Sequence, residues 1–260
     1  MRGMRPMPDA PANPLRAAQA NMRPSLPKRF YKIAGVAPRG GSFALTLDGR
    51  SALTPAKNPF VLSTRALAEL IAAEWAGQDE AIDPTSMPAT RIANSAIDGV
   101  ASNMSAVREE IAGYAAADLL CYRAAEPEAL AKAQAAAFDP VLEWAREELG
   151  ARFLLSEGIR HVAQPRSALA AVDAALAAID DPFALAALHV ATTLTGSALL
   201  ALAVSKGRLS PEEAWRVAHV DEDFQISQWG EDGEAEARRA ARWREMAAAA
   251  KILYAALSQT

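Results

Sequence analysis

Asp181–Gly207 reads D-P-F-A-L-A-A-L-H-V-A-T-T-L-T-G-S-A-L-L-A-L-A-V-S-K-G, and its interpretation decides the fold of this chain. No charged side chain stands between Asp181 and Lys206. Asp181 is placed to cap a helix, and Pro182 suits the first helical position, where a missing N–H costs no hydrogen bond. Lys206-Gly207 reads as a basic last turn and a stop. One helix is expected over the whole stretch, on the order of 35 Å long at roughly 1.5 Å per residue.

A helix apolar on every side is wrapped by protein or spans a membrane. The length suffices for a span. The composition points the other way: Ala dominates, His189, Thr192, Thr193, Thr195 and Ser197 are polar, and flanking aromatic belts and a basic loop cluster are lacking. We therefore expect a buried central helix whose small residues let neighbours approach closely, and no stable membrane insertion. The alternative is a membrane-anchored scaffold built on 182–205.

Working outward, a chain of 260 residues can bury a core without disulfides or metal. The net charge of -4 is mild, so nucleic acid is not an expected partner. The single Cys121 excludes an internal disulfide framework and suggests a reducing compartment. Residues 1–27 are rich in Pro, Arg, Met and Ala and are expected to form a disordered tail. The acid-poor composition has transit-peptide character, but its prolines interrupt any amphipathic helix.

From Arg29 the pattern becomes that of strands. F-Y-K-I-A-G-V reads as the first, P-R-G-G as a turn, and S-F-A-L-T-L as the second, with Phe43, Leu45 and Leu47 on one face. Asp48-Gly49 makes a hairpin turn of the positive-φ kind, and R-S-A-L-T returns. A helix over Ser63–Ala76, with Leu67, Leu70, Ile71 and Trp75 in one stripe, is expected to cover this sheet. The remainder is helical. Asn94 to about Tyr122 has helical spacing, with possible breaks at Gly99 and Gly113; a helix entered at Pro127 meets a kink or restart at Pro140 and stops at Gly150. S-P-E-E, from Ser210, opens a capping-box helix expected to run to Trp229, and the last helix covers about Glu234 to Leu257. The fold class is α+β: a small N-terminal β-rich α+β domain, 28–93, followed by a larger all-helical domain, 94–260.

Catalytic signatures are lacking. His161, His189 and His219 are widely separated, so no zinc site is expected, and His189 on the apolar helix reads as a satisfied core histidine. No G-x-S-x-G elbow or phosphate loop occurs, and Cys121 reads as a small buried residue. No cofactor and no metal are expected. What remains is H-V-D-E-D-F-Q-I-S-Q-W-G-E-D-G-E, His219 to Glu234. Its acids Asp221, Glu222, Asp223, Glu231, Asp232 and Glu234 crowd what is expected to be the end of a helix, which prefers cations. They form either a solvated face or an acidic docking surface anchored by Phe224 and Trp229, two side chains that core packing explains equally well.

Several motifs occur in a fixed order: R-F-Y-K at Arg29, N-P-F-V-L-S-T-R-A-L-A at Asn58, A-E-W at Ala73, M-P-A-T-R-I-A-N at Met87, D-L-L-C-Y-R at Asp118, E-P-E-A-L at Glu126, D-P-V-L-E-W-A at Asp139 and D-F-Q-I-S-Q-W-G at Asp223. In this order, over about Arg29 to Leu257, the chain resembles the assembly chaperones that bind the alpha subunit of the catalytic head of F-type ATP synthase. The resemblance implies a non-enzymatic, monomeric chaperone that shields the unassembled alpha subunit until a beta subunit replaces it. The compartment implied is the bacterial cytoplasm, or the mitochondrial matrix in a eukaryote. It further implies a functional acid just before the Q-I-x-x-W-G motif, falling on Asp221 with Glu222 as neighbour. The V-x-x-x-H-D pattern that follows W-G in many members is replaced here by E-D-G-E-A-E. The alternative from another class is an enzyme with a carboxylate pair in an interdomain cleft.

Overall fold

The computed structural model describes residues 26–158, 160–230 and 232–257. The expected tail therefore lies outside the described residues as far as position 25, and so does Glu231. Strand β1 (Ala34–Arg39) pairs antiparallel with β2 (Ser42–Leu47) around Gly40-Gly41, Arg39 facing Ser42 and Ala34 facing Leu47. Both turn glycines have positive φ, 56° and 83°, the backbone such a two-residue turn needs. β3 (Arg50–Ser51) and β4 (Val61–Leu62) share the other edge of β2, each pairing with a different end of it. The first strand begins later than its apolar pattern suggests. Lys32 and Ile33 donate their N–H groups to the Asp48 carboxylate at 3.0 and 2.8 Å, which also holds that carboxyl below its usual range.

Leu45 and Leu47 are buried and Phe43 half-buried, on the face covered by helix α1 (Arg65–Ala76) through Leu67, Ala68 and Ile71. Thr64 caps α1: its hydroxyl oxygen accepts from Leu67 N–H at 3.1 Å and donates to the Ala255 carbonyl at 2.7 Å. The carboxylate of Glu74 in α1 accepts from Ala89 and Thr90 N–H, at 2.8 and 2.6 Å, and so caps the next helix, α2 (Pro88–Asp98). The sequence boundary at 93/94 falls inside α2, which packs on both α1 and the helices that follow. Gly99 ends α2 as expected, whereas Gly113 lies within α3 (Met104–Ala116). After the short parallel strand β5 (Tyr122–Arg123), α4 (Glu128–Trp144) runs through Pro140 and ends in a π turn, Ala145–Leu149, that Gly150 closes at φ 72°. β6 (Ser156–Glu157) pairs with β5, and α5 (Arg166–Ala177) leads into the centre.

The central stretch is two helices and not one: α6 (Pro182–Thr195) and α7 (Ala198–Ser205). Gly196 takes φ 67°, and Ser197 caps α7 by accepting from Leu200 N–H at 3.0 Å. Thr-Gly-Ser is thus a C-terminal stop and a new N-cap placed back to back. Neither piece is long enough to span a bilayer, and no helix among the described residues is long and apolar enough to cross a membrane. Ala198 through Val204 are all buried. α8 (Pro211–Ala218) begins with the expected capping box, Glu213 accepting from Ser210 N–H and Ser210 from Glu213 N–H at 2.8 and 3.1 Å. α9 (Val220–Trp229) follows, and α10 (Gly233–Leu257) packs lengthwise on α6 through Met246, Ala249, Ala250 and Leu253.

At the start of α7 lies a fully buried carboxylate, Asp118. It accepts from Leu120 N–H at 3.1 Å and from Leu199 N–H at 3.2 Å. Burial raises its pKa to about 6, against the pull of these N–H groups, of Ala198 N–H and of the Ser197 hydroxyl. The same burial, with the Asp118 charge beside it, pushes the Cys121 thiol up to about 12, so Cys121 is a packed residue and not a nucleophile.

Because the folded pKa of Asp118 lies above the unfolded one, its contribution to stability is whole below about pH 4 and is lost as pH rises through about 6. Asp118→Ala strands two buried N–H donors and is expected to cost about 2–4 kcal/mol at acid pH. The gap to wild type should then narrow by about 2 kcal/mol between about pH 4.5 and 7.5. Urea midpoints of both proteins across that range check this.

Candidate functional site

The acidic segment is a helix of its own. Helix α8 ends at Ala218, and His219, at φ -113° and ψ 19°, separates it from α9. Asp221, Glu222 and Asp223 consequently occupy the first turn of α9. This corrects the expectation that they crowd a helix C-terminus: the partial positive charge at the start of α9 favours them there. The ring of His219 is what holds the corner. It is buried, lies 3.9 Å from the Trp215 ring, and donates from Nδ1 to the Trp215 carbonyl at 2.8 Å. Burial keeps its pKa below the usual imidazole value, so the ring is neutral at physiological pH. Glu222 lies 3.9 Å from Nε2, too far for a hydrogen bond, and with a neutral ring no ion pair forms.

Each acid of the first turn faces a different neighbour. Asp221 accepts from the Gln134 side chain of α4 at 2.7 Å, and Gln134, itself buried, accepts from Ala124 N–H at 2.7 Å. Asp221 also lies in the field of Arg123, whose guanidinium pairs with Asp139 at 2.7 Å and sits 4.7 Å over the Phe138 ring. Asp223 pairs with Arg239 of α10 at 2.6 Å. Glu222, with Gln225, Ile226 and Trp229, turns toward the start of α10, and together with Asp232 and Arg239 they line a groove of about 250 Å³.

No residue of α9 is buried. Phe224 is half-buried and stands apart from the core cluster, and Trp229 is 77% exposed. Core packing, which sequence left open for both, does not account for Trp229. α9 is a surface helix pinned at two points, Asp221 to α4 and Asp223 to α10, that presents an acidic first turn and an exposed indole. Of the two residues that do the pinning, Gln134 is 87 positions from Asp221 in sequence, and Arg239, just past the motif, lies on a different helix.

The chain matches the family described as ATP12 chaperone protein over residues 28–146. It is 42% identical to Atp12 of Paracoccus denitrificans, with a TM-score of 0.83, over 88% of this chain and 98% of that one. The chain belongs to the ATP12 chaperone family. The same figures hold for an Asp→Lys mutant of the Paracoccus protein. A candidate chaperone from Agrobacterium tumefaciens is 52% identical, with a TM-score of 0.87, over 94% of this chain and 91% of that one.

For a member of this family, the other cavities matter for what they hold. The one between α2, α3, α6 and α10, of about 690 Å³, is lined by Asp98, Glu110, Glu245, Arg91 and His189, and by none of the acids 221–223. His189 is not a core residue: it is partly exposed on this wall, with Nε2 3.0 Å from Glu110. Asp98 accepts from Thr54 and Asn58 at 2.6 and 2.8 Å, which holds its carboxyl below the usual range, and Glu245 pairs with Arg91. Among the described residues no group of three or more His, Cys, Asp or Glu is placed to hold a metal.

Trp229→Ala is expected to leave the thermal midpoint almost unmoved, within about 0.5 kcal/mol, because its side chain is solvated. Gln134→Ala leaves Ala124 N–H without its acceptor and frees Asp221, and should cost about 1–2 kcal/mol. Thermal denaturation of the pair distinguishes the presenting residue from the pinning one.

Proposed function

We propose that this protein holds the unassembled alpha subunit of F-type ATP synthase, and that α9 is part of the surface that holds it. Membership of the ATP12 family makes it an ATP synthase assembly chaperone. The alpha subunit as client, its release to a beta subunit, and a monomeric chaperone in the bacterial cytoplasm or mitochondrial matrix belong to the proposal. So does the division into an N-terminal domain, 28–93, and a helical domain, 94–260. The observation that carries the site is that no residue of α9 is buried, its three acids and two aromatics included, and that Trp229 is 77% exposed. Displaying Trp229 to water costs about 2 kcal/mol or more of forgone burial, which folding alone does not explain. An indole beside a charged rim is the composition of an interface hot spot. The contact residues proposed are Asp221, Glu222, Asp223, Phe224 and Trp229.

Such a surface suits reversible capture. The acids steer a basic client surface toward α9, and the aromatic side chains supply the apolar contact that is surrendered when the permanent subunit arrives. The protein acts as a binder and not as an enzyme in this reading. The acids of the α2/α3/α6/α10 cavity are each already held by a partner, and the α9 groove is small, about 250 Å³, and bordered by the exposed Trp229.

Co-expression with the alpha subunit of the same organism, followed by size-exclusion chromatography, tests the proposal. A soluble one-to-one complex that dissolves when the beta subunit is added is expected. Asp221→Lys with Glu222→Lys should weaken capture at least about tenfold, as should Trp229→Ala. Capture unchanged in both variants would move the client surface elsewhere, and alpha-subunit aggregation in the presence of wild type would sink the client assignment.

A further inference from the structure

The sheet lobe has features that α9 does not use. Phe30, Ile33 and Leu53 are 71%, 69% and 56% exposed. The backbone around Phe30 is firmly tied: Arg29 N–H donates to Glu80, Ile82 N–H to Pro27, and the Arg29 guanidinium to the carbonyls of Tyr31, Lys32 and Gln78. Phe30 is thus held out into solvent by an ordered segment. It packs edge-on against Tyr31 at 5.4 Å, and Tyr31 against Trp75 at 5.6 Å, making one rigid aromatic bank. Leu53 and Arg50 form the opposite bank of a cavity of about 620 Å³ floored by Leu47.

Arg50 and Asp48 line this cavity, and Lys32 and Arg29 lie in the field of the Asp48 carboxylate. Residues 28–62 carry six basic side chains, Lys28, Arg29, Lys32, Arg39, Arg50 and Lys57, and one acid, in a chain whose net charge is -4. That acid, Asp48, is occupied by the N–H groups of Lys32 and Ile33. Beside the cavity, β3 pairs with β2 along one edge and with no other strand among the described residues, and Arg50 and Ser51 are both exposed.

We propose that this cavity and the free edge of β3 form a second docking surface, whose occupant is an extended, acidic segment of a partner polypeptide carrying apolar side chains. The charge sets the sign of the occupant. The two apolar banks take side chains from one face of an extended chain, and the open edge offers its backbone hydrogen bonds. The cavity between the two banks fits an inserted segment. This inference does not rest on the client of α9, and it gives the molecule two poles, one basic and apolar, the other acidic and aromatic.

The test uses the full chain and a labelled synthetic peptide of about twelve residues alternating Glu with Phe or Leu, read by fluorescence anisotropy. A partner peptide with Lys in place of Glu is the control. The Glu peptide should bind at least about tenfold more tightly than the Lys peptide, and should weaken severalfold from about 0.05 to about 0.5 M NaCl. Phe30→Ser with Leu53→Ser, and separately Lys32→Glu with Arg50→Glu, should each reduce affinity about tenfold or more. All four side chains are exposed, so unchanged circular dichroism is expected, and Asp221→Lys should bind the Glu peptide as wild type does. Equal binding of the two peptides, or binding indifferent to both double variants, overturns the proposal. So does flotation with phosphatidylglycerol vesicles without peptide binding, which would make the surface a lipid contact. Self-association in sedimentation velocity that Phe30→Ser with Leu53→Ser abolishes would give the site to a second copy and overturn it equally.

Discussion

One buried carboxylate organises the centre of this molecule. Asp118 has no exposed surface, and it reaches across from the end of the α3 region to the first N–H groups of α7. A helix start buried among Ala and Leu side chains has donors that water does not reach, and leaving them unpaired costs more than the hydrogen bonds return. Asp118 satisfies them and at the same time fixes the Leu119–Cys121 turn, whose Leu119 N–H donates to the Gly196 carbonyl at 3.2 Å. The corner between α6 and α7, and the strand β5 that follows the turn, are positioned by that one side chain. Helices α3, α4, α8 and α10 all pack on the α6–α7 pair, so the surface helix α9 inherits its place from the same anchor.

Local signals made much of this legible. Asp48-Gly49, Gly40-Gly41, Asp181-Pro182 and the Ser210 capping box all behave as their chemistry requires. Where reading failed, the deciding interaction was either misparsed or distant. Thr195-Gly196-Ser197 is a stop and a start compressed into three residues, and the unbroken apolarity around it hid both. The break at His219 has no glycine or proline; it depends on an imidazole folding back onto Trp215, which one-dimensional periodicity does not register. His189 looked like a core residue because its helix neighbours are apolar, yet it sits on the one stripe of α6 that faces a cavity.

The candidate site divides the same way. Its acids and aromatics were visible in the sequence, and the acidic first turn follows once the helix start is known. Their display was not visible, because it depends on Gln134 and Arg239, whose side chains arrive from α4 and α10. Val220 alone of the apolar side chains of α9 packs on the core; the polar ties of Asp221 and Asp223 hold the rest of the first turn and leave Phe224 and Trp229 outside the core cluster.

The hydrogen bond from Thr64 to the Ala255 carbonyl joins residues 191 positions apart. It ties the capping residue of α1, and with it the cover over the sheet, to the last turns of α10. Loosening the last turns of α10 would therefore take from the α1 cap the hydrogen bond that its hydroxyl donates, and leave only the one it accepts from Leu67 N–H.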